Sequence, residues 1–260
     1  MRIITAFFMA WGNFLVLPCP HKRWDGKLKN LMLAFVPAVG AVIGLIWMGL
    51  IALLRYADAH RGIPDSIAAA ASAFYIFAIC GFMHLDGYMD CNDAILSRRS
   101  TEEKQRILKD STVGAFAVVM LGFLLMAWYA SMVVIWNEIP LSLFFILPVM
   151  SRAVASNDIL DCKPMERSQY AENYAETAQR KKSRIIIAAC LLFALLVTVI
   201  TGSLYKDGLA YGIALFVALV SSLIAGAYAR WQLGGMSGDV AGYEICWCEA
   251  IGVIALAVAV

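Results

Sequence analysis

Long apolar runs separated by short polar segments dominate this chain. A helix rises about 1.5 Å per residue, so about 18 to 20 apolar residues can cross the hydrocarbon core of a bilayer, which is about 30 Å thick. Seven runs approach or exceed this length, and they predict an all-α, polytopic bundle of transmembrane helices. The predicted spans are Leu31–Leu54, Ser66–Met83, Val113–Trp136, Pro140–Ile159, Ile185–Gly202, Gly208–Arg230 and Ala241–Val260.

The first apolar run, Ile3–Leu17, is about fifteen residues long and therefore short for a complete crossing. Pro18-Cys19-Pro20 follows it, where a secretory signal peptide would have a cleavage site of small residues. We predict an interfacial or re-entrant helix here. No internal repeat or linker divides the sequence, so residues 1–260 are expected to form one membrane-embedded domain.

The composition agrees with a membrane protein. Hydrophobic residues make up 62% of the chain and charged residues only 15%, which lies outside the usual range of soluble globular domains. We therefore expect the lipid bilayer as the surrounding phase and no nucleic-acid partner. The seven cysteines form no CxxC pair and lie mostly within or beside apolar runs, which is typical of buried small side chains.

Lysine and arginine residues are unevenly distributed between the predicted loops. Seventeen of the 21 lie in four segments on one side, namely the N-terminal segment, 84–112, 160–184 and 230–240. The opposite side holds three, Arg55, Arg61 and Lys206. Because positively charged loops tend to stay in the cytoplasm, the N-terminus and the three charged loops are predicted to be cytoplasmic, with the C-terminus outside.

An acidic stripe follows the second predicted span. Asp86, Asp90 and Asp93 are spaced by four and three residues, which places them on one face of a helix. Like charges this close repel each other unless a cation lies between them, and oxygen-only ligands favour a hard divalent ion such as Mg²⁺. The alternative is an ordinary solvated loop. The position of Asp86 directly after an apolar run favours binding or catalysis, because burying charge there is costly.

Basic residues follow the stripe and favour a phosphate-bearing substrate. Their charge suits phosphate, and the arginines also offer a planar fork of N–H donors. These residues are Arg98, Arg99, Lys104, Arg106 and Lys109.

Asp110 lies just before the third predicted span, and Ser111, Thr112 and Gly114 come directly after it. A carboxylate, two hydroxyls and the amides of a helix N-terminus can together hold a metal-bound phosphate. The alternative is that Asp110 or Ser111 caps the helix.

Arg152 lies inside the fourth predicted span, where a guanidinium must find a partner. Asp158 and Asp161 lie six and nine residues further along, so an ion pair with one of them is one explanation. The other is that Arg152 reaches a diphosphate of the substrate.

A glycine-rich turn follows the sixth predicted span. Gly235 and Gly238 let the backbone approach a ligand, and Asp239 adds a carboxylate on the predicted cytoplasmic side. His84 lies about 160° around the helix from Asp86, so it is expected to face away from the acidic stripe. A structural histidine and a proton shuttle are both compatible with that position.

The chain resembles the cobalamin synthase family, whose members are also called adenosylcobinamide-GDP ribazoletransferases. The resemblance covers nearly the whole sequence, with Ala94 standing where the family typically has glycine. The segments that carry it are LPCP at 17–20, FVPAVGAVIGL at 35–45, HLDGYMDCNDA at 84–94, KDSTVGAF at 109–116, LPVMSRA at 147–153 and GGMSGDVAGY at 234–243.

The resemblance implies a Mg²⁺-dependent membrane enzyme. Its substrates would be adenosylcobinamide-GDP and α-ribazole or α-ribazole 5′-phosphate, and its products adenosylcobalamin or its phosphate, with GMP. The expected metal ligands are Asp86, Asp90, Asp93 and Asp239, and the expected catalytic residues are Asp86, Asp90, Asp93 and Asp110. The expected substrate-binding residues are His84, Arg98, Lys109, Arg152, Gly235, Gly238 and Asp239.

Two other functions remain open at this point. CDP-alcohol phosphotransferases carry a related aspartate motif, and Asp90, Asp93, Ala94, Ser97 and Arg98 follow its first part imperfectly. Its second part fails, because positions 107, 111 and 115 hold none of the required residues. A transporter with an acidic cation site would instead show charges near mid-membrane and repeat symmetry, and no repeat is visible.

The expected location is the cytoplasmic membrane of a prokaryote, with the active site facing the cytoplasm. Self-association, or association with other enzymes of the corrinoid pathway, is a further expectation for partners.

Overall fold

A computed structural model describes residues 1–166 and 177–260. Those residues form helices and no strand, so the all-α prediction is confirmed. A short 3₁₀ helix, Gly26–Leu28, precedes α2. The α-helices are α1 Arg2–Phe14, α2 Lys29–Ala34, α3 Val36–Arg61, α4 Asp65–Ala78, α5 Met83–Leu96, α6 Thr101–Ile107, α7 Ala115–Ile135, α8 Leu141–Asp161, α9 Thr177–Leu204, α10 Gly208–Leu233 and α11 Gly238–Val258.

Five of these helices are long and apolar enough to cross a membrane, namely α3, α7, α8, α10 and α11. The pair α4 and α5 passes the same test jointly and would make a sixth span. The predicted count of seven is therefore not confirmed in the described part of the chain. The fifth predicted span, Ile185–Gly202, lies within α9, whose apolar part Arg184–Ile200 falls short of full span length. The predicted 160–184 loop lies partly outside the described residues.

The prediction of one continuous span at Ser66–Met83 is wrong. The chain bends by 83° between α4 and α5, because the helix ends at Ala78 and restarts at Met83. Gly81 and Phe82 both have positive φ angles, 60° and 61°. This conformation costs a residue with a side chain about 1–2 kcal/mol, so the surrounding packing must hold Phe82 in place.

The N-terminal segment packs against this bend. α1 has 13 residues, about 20 Å, and is too short to cross, as predicted. After α1 the backbone N–H of Val16 donates to the carbonyl of Ile79 at 3.0 Å. The Cys19 thiol donates to the carbonyls of Phe8 and His21, both at 3.4 Å. The LPCP segment thereby fixes α1 beside the broken span.

α8 lies at the centre of the bundle. In the most apolar stretch of α8, 89% of the residues are buried inside the bundle. The same share in α7 is 28%. Two glycines of α3 allow close contact with α8, as small residues do between membrane helices. A Cβ at Gly44 would lie 2.6 Å from the carbonyl oxygen of Phe145, and one at Gly40 would overlap that of Pro148.

An aromatic cluster joins α3, α4, α7 and α8. The ring centroids of Trp47 and Phe144 are 5.1 Å apart, and those of Phe77 and Trp128 are also 5.1 Å apart. The Trp47 indole N–H donates to the Ser72 hydroxyl at 2.7 Å, so this buried polar group has a partner. The cluster anchors the first half of the broken span.

Candidate active site

α5 and α11 meet through two glycines. A Cβ at Gly87 would lie 2.8 Å from the backbone oxygen of Asp239, and a Cβ at Gly242 would lie 2.9 Å from that of His84. Both contacts are closer than a side chain tolerates, so the two backbones approach each other only because these positions carry no side chain. The approach brings the start of α11 beside the acidic face of α5.

Four carboxylates lie along α5 and at the start of α11, and we call them the acidic cluster: Asp86, Asp90, Asp93 and Asp239. Asp86, Asp239 and Asp93 all lie close enough to Asp90 to interact with it electrostatically. Asp86 is exposed, whereas the other three are partly buried. The predicted stripe on α5 therefore forms one face, and Asp239 from a distant part of the sequence joins it.

The chemistry of the acidic cluster fits a hard divalent cation. All of its side-chain donors are oxygens, and four like charges in a partly buried site favour a cation between them. In the described residues, however, no three His, Cys, Asp or Glu side chains converge as a ligand set. Mg²⁺ binding therefore remains a prediction that depends on the donor chemistry.

Asp93 also contacts the N-terminus of α7. Its Oδ1 accepts a hydrogen bond from the backbone N–H of Ala117 at 3.2 Å. A Cβ at Gly114, the N-cap residue of α7, would overlap the Asp93 carboxylate. A carboxylate is favourable at a helix N-terminus, because it satisfies a free amide and complements the helix dipole. Asp93 thus fixes α5 against α7.

The alternative that Asp110 caps this helix is wrong. α7 begins at Ala115, five residues later, and Asp110 accepts hydrogen bonds from the Thr112 backbone N–H at 2.9 Å and hydroxyl at 2.7 Å. These bonds lower the pKa of the exposed Asp110 carboxyl, so it is ionised at neutral pH. Its predicted catalytic role stays a prediction.

A cavity of about 250 Å³ opens beside the acidic cluster, and Asp86, Asp239 and His84 all line it. His84 and Asp86 both belong to the first turns of α5. That the His84 side chain faces away from the acidic stripe stays a prediction.

The predicted phosphate-binding residues occupy different surroundings. Arg98 and Lys109 are exposed on either side of α6, and their contact with phosphate stays a prediction. Lys104 is buried and donates to the Gln232 side chain, so it holds α6 against α10.

The two glycines of the predicted turn have different neighbours. Gly238 lines the cavity at the start of α11. Gly235 is buried, and a Cβ there would lie 2.7 Å from the backbone nitrogen of Met165. The close backbone approach at Gly235 is therefore made by the chain itself, and its predicted contact with substrate stays a prediction.

Arg152 is fully buried and forms an ion pair with Glu249 of α11. It also donates to the Ser151 hydroxyl at 2.9 Å and the Cys80 sulfur at 3.6 Å. The sequence suggested that Arg152 pairs with Asp158 or Asp161. This alternative is wrong, because those two residues form ion pairs with other arginines. Whether Arg152 also reaches a diphosphate stays a prediction.

Sequence reasoning missed two glutamates inside the last predicted span, Glu244 and Glu249. Glu244 is completely buried and accepts a hydrogen bond from Arg230 at 2.6 Å, and Arg230 also pairs with Asp158. The sequence did contain a signal for them, namely two ionisable residues within an apolar run, and such residues normally have a partner or a function. Arg230 consequently joins α8, α10 and α11.

Comparison with known proteins shows which family the chain belongs to. The family model described as cobalamin-5-phosphate synthase matches residues 6–257. The chain belongs to this family. A Clostridium perfringens strain 13 protein named adenosylcobinamide-GDP ribazoletransferase is 32% identical over 254 residues, which cover 97% of each chain. A protein of the same name from Clostridium botulinum strain Alaska E43 is 32% identical over 96% of each chain.

More distant members of the cobalamin-5-phosphate synthase family match over a similar extent. A Geobacillus thermodenitrificans protein, also named adenosylcobinamide-GDP ribazoletransferase, is 31% identical over 92% of this chain and 89% of its own. No solved structure matches significantly. The family match includes the acidic cluster, the cavity, the buried Arg152 and the partly buried Arg230, and it does not favour a CDP-alcohol phosphotransferase or a transporter.

Proposed function

We propose that this chain joins adenosylcobinamide-GDP to α-ribazole, or to α-ribazole 5′-phosphate, and releases GMP. The observation that carries the proposal is the family match along the whole chain, from α1 to α11. The acidic cluster beside a cavity supports it, because phosphoryl transfer depends mainly on positioning the reactants and balancing their charge.

In the proposed reaction a ribose hydroxyl that is free in both α-ribazole and α-ribazole 5′-phosphate attacks the phosphorus next to cobinamide. A new P–O bond forms, the bond to the GMP oxygen breaks, and the proton of the attacking hydroxyl passes to a carboxylate. Asp86 and Asp239 face the cavity, so we assign proton acceptance to one of these two. Arg98, Lys109 and Arg152 are the proposed cations for the charge that moves onto GMP.

Asp86, Asp90 and Asp239 would hold Mg²⁺, and Asp93 would contribute less because it already binds the N-terminus of α7. Bound Mg²⁺ would neutralise charge on the diphosphate. These carboxylates would hold the ion beside the cavity, where it could compensate the charge of the substrate diphosphate.

The proposed function predicts turnover that requires both substrates and a divalent cation. Purified protein in detergent should release GMP from adenosylcobinamide-GDP plus α-ribazole with Mg²⁺, and EDTA should abolish the release, because uncompensated carboxylates repel a diphosphate. GMP is measured by chromatography. A CDP-alcohol donor with a lipid acceptor serves as the control pair, and turnover of that pair alone would contradict the proposal.

A second prediction concerns the contact between α5 and α11. Gly87→Ala should lower stability by about 1–3 kcal/mol and GMP release by at least about ten-fold, because the new Cβ meets the Asp239 backbone. Gly122→Ala is the matched control, since nothing lies within 4 Å of a Cβ there. Thermal unfolding and turnover of both variants are the measurements. Equal behaviour of the two variants would exclude a functional role for the close approach.

We further propose a single domain in a prokaryotic cytoplasmic membrane, with the acidic cluster facing the cytoplasm. Residues from α1, α3, α5, α8 and α11 line one cavity, which supports one domain. The excess of lysine and arginine in the segments around α6 and α9 supports the orientation.

Cysteine labelling in whole cells tests the orientation. A membrane-impermeant maleimide should leave Arg99→Cys unlabelled until the cells are opened, and it should label Lys206→Cys directly, because both positions are exposed and lie at opposite ends of the bundle. The unsubstituted chain controls for the native thiols, of which Cys80, Cys91, Cys246 and Cys248 are buried. Labelling of Arg99→Cys in intact cells would reverse the proposed orientation.

A further inference from the structure

The cavity beside the acidic cluster is lined by both apolar and polar residues. We call its apolar lining the wall, which includes Phe14, Val36, Ile159 and Ile245, together with Ala155. Its charged and titratable lining residues are His84, Asp86 and Asp239. A ligand that fits both parts has an apolar body and a polar group at one end.

The polar atom of Ser156, which also lines the cavity, is already engaged. Its hydroxyl donates to the carbonyl of Arg152 at 2.8 Å, so its proton is not offered to a ligand. The apolar wall therefore offers no free side-chain donor. A base with several N–H and C=O groups, such as guanine, would lose hydrogen bonds to water where it contacts this wall, and only His84, Asp86 and Asp239 could replace some of them.

The size of the cavity sets a second limit. At about 250 Å³ it lies just below the usual range of pockets for drug-sized ligands, about 300–1,000 Å³. It can hold a fused two-ring system and part of an attached sugar. A corrin macrocycle is too large for it and has to remain outside.

We propose that this cavity is the α-ribazole subsite, an inference that rests on the function proposed above. The dimethylbenzimidazole base, which is apolar and carries no N–H, lies against the wall. The attacking ribose hydroxyl then points toward Asp86 and Asp239, where the proposed proton acceptor lies. The guanine nucleotide and the corrinoid occupy the open side of the acidic cluster.

A ligand series on the unchanged protein tests this subsite. Removing both methyl groups from the base should raise the KM for the riboside about 15-fold, because each buried methyl contributes about four-fold in affinity. The KM for adenosylcobinamide-GDP should not change. Equal KM values for the methylated and unmethylated ribosides would overturn the inference.

A matched pair of variants tests where the α-ribazole subsite lies. Ala155→Leu fills the cavity from α8 and should raise the KM for α-ribazole by more than about ten-fold, while the KM for adenosylcobinamide-GDP stays within about two-fold. Ala189→Leu adds the same atoms in a separate apolar groove between α3, α8 and α9, and should change neither value. A rise confined to adenosylcobinamide-GDP in Ala155→Leu would overturn the assignment.

Direct binding separates this inference from the proposed function. Calorimetric titration of the detergent-purified native chain with α-ribazole, and with the riboside that lacks both methyls, should reproduce the 15-fold ratio in Kd. A native chain that releases no GMP but binds α-ribazole with this preference would refute the function and keep the subsite. A native chain that turns over without this preference would refute the subsite alone.

Discussion

Asp90→Asn is expected to reduce GMP release by at least about 100-fold while leaving the protein folded. The asparagine side chain has nearly the same shape but lacks the charge, and a charged group that acts on the transition state is typically worth this much. Asp90 interacts electrostatically with the other three carboxylates of the acidic cluster, Asp86, Asp93 and Asp239. The measurement is GMP release at saturating substrate and Mg²⁺, with thermal unfolding in detergent as the test of folding.

The control for this variant is Asp207→Asn. Asp207 is exposed at the start of α10, about 39 Å along that helix from the end that adjoins α6. The control removes one negative charge from the protein without touching the acidic cluster, so turnover should stay near that of the native chain. Near-normal turnover of Asp90→Asn would remove the proposed role of the cluster in holding the metal and diphosphate.

The second large effect concerns the buried pair of Arg152 and Glu249. Arg152→Met should lower the free energy of unfolding by about 3–5 kcal/mol, because it leaves Glu249 charged, buried and without its main partner. The double variant Arg152→Met with Glu249→Met should recover most of that loss. Ser151, which bonds to Glu249 at 2.9 Å, keeps its other acceptor, the Pro148 carbonyl at 3.2 Å. Unfolding in detergent measures both variants.

Turnover of the double variant separates the two roles considered for Arg152. If the guanidinium contacts the diphosphate, the double variant folds but releases little GMP. If Arg152 only joins α8 to α11, folding and turnover return together. A double variant that remains as unstable as Arg152→Met would show that the ion pair is not the main contribution of these residues.

The hydrophobic pattern was sufficient to predict the fold class. A long apolar run has to be buried in the protein or embedded in lipid, and a helix is the structure that it forms there. It was insufficient for the bend between α4 and α5. Nothing in the apolar run Ser66–Met83 indicates where it stops, since the bend depends on the backbone at Gly81 and Phe82 and on the contact of Val16 with Ile79. Contacts between distant segments decide such a break, and periodicity does not contain them.

The acidic face of α5 could be predicted, since spacings of four and three residues bring carboxylates together on any helix. The partners of those carboxylates could not. Asp93 binds Ala117 because Gly114 leaves space for it, and Arg152 pairs with Glu249, which lies 97 residues further along the chain. Only packed helices bring such residues together.

The broken span also determines how the membrane acts on the site. α5 has 14 residues, about 21 Å, and cannot match a hydrocarbon core of about 30 Å by itself. α3 and α10, with 26 residues or about 39 Å each, are longer than the core, and a helix of that length adapts to it by tilting. α5 is held instead by α7 and α11. We therefore expect bilayer thickness to act on the helix that carries three of the four clustered carboxylates mainly through α7 and α11.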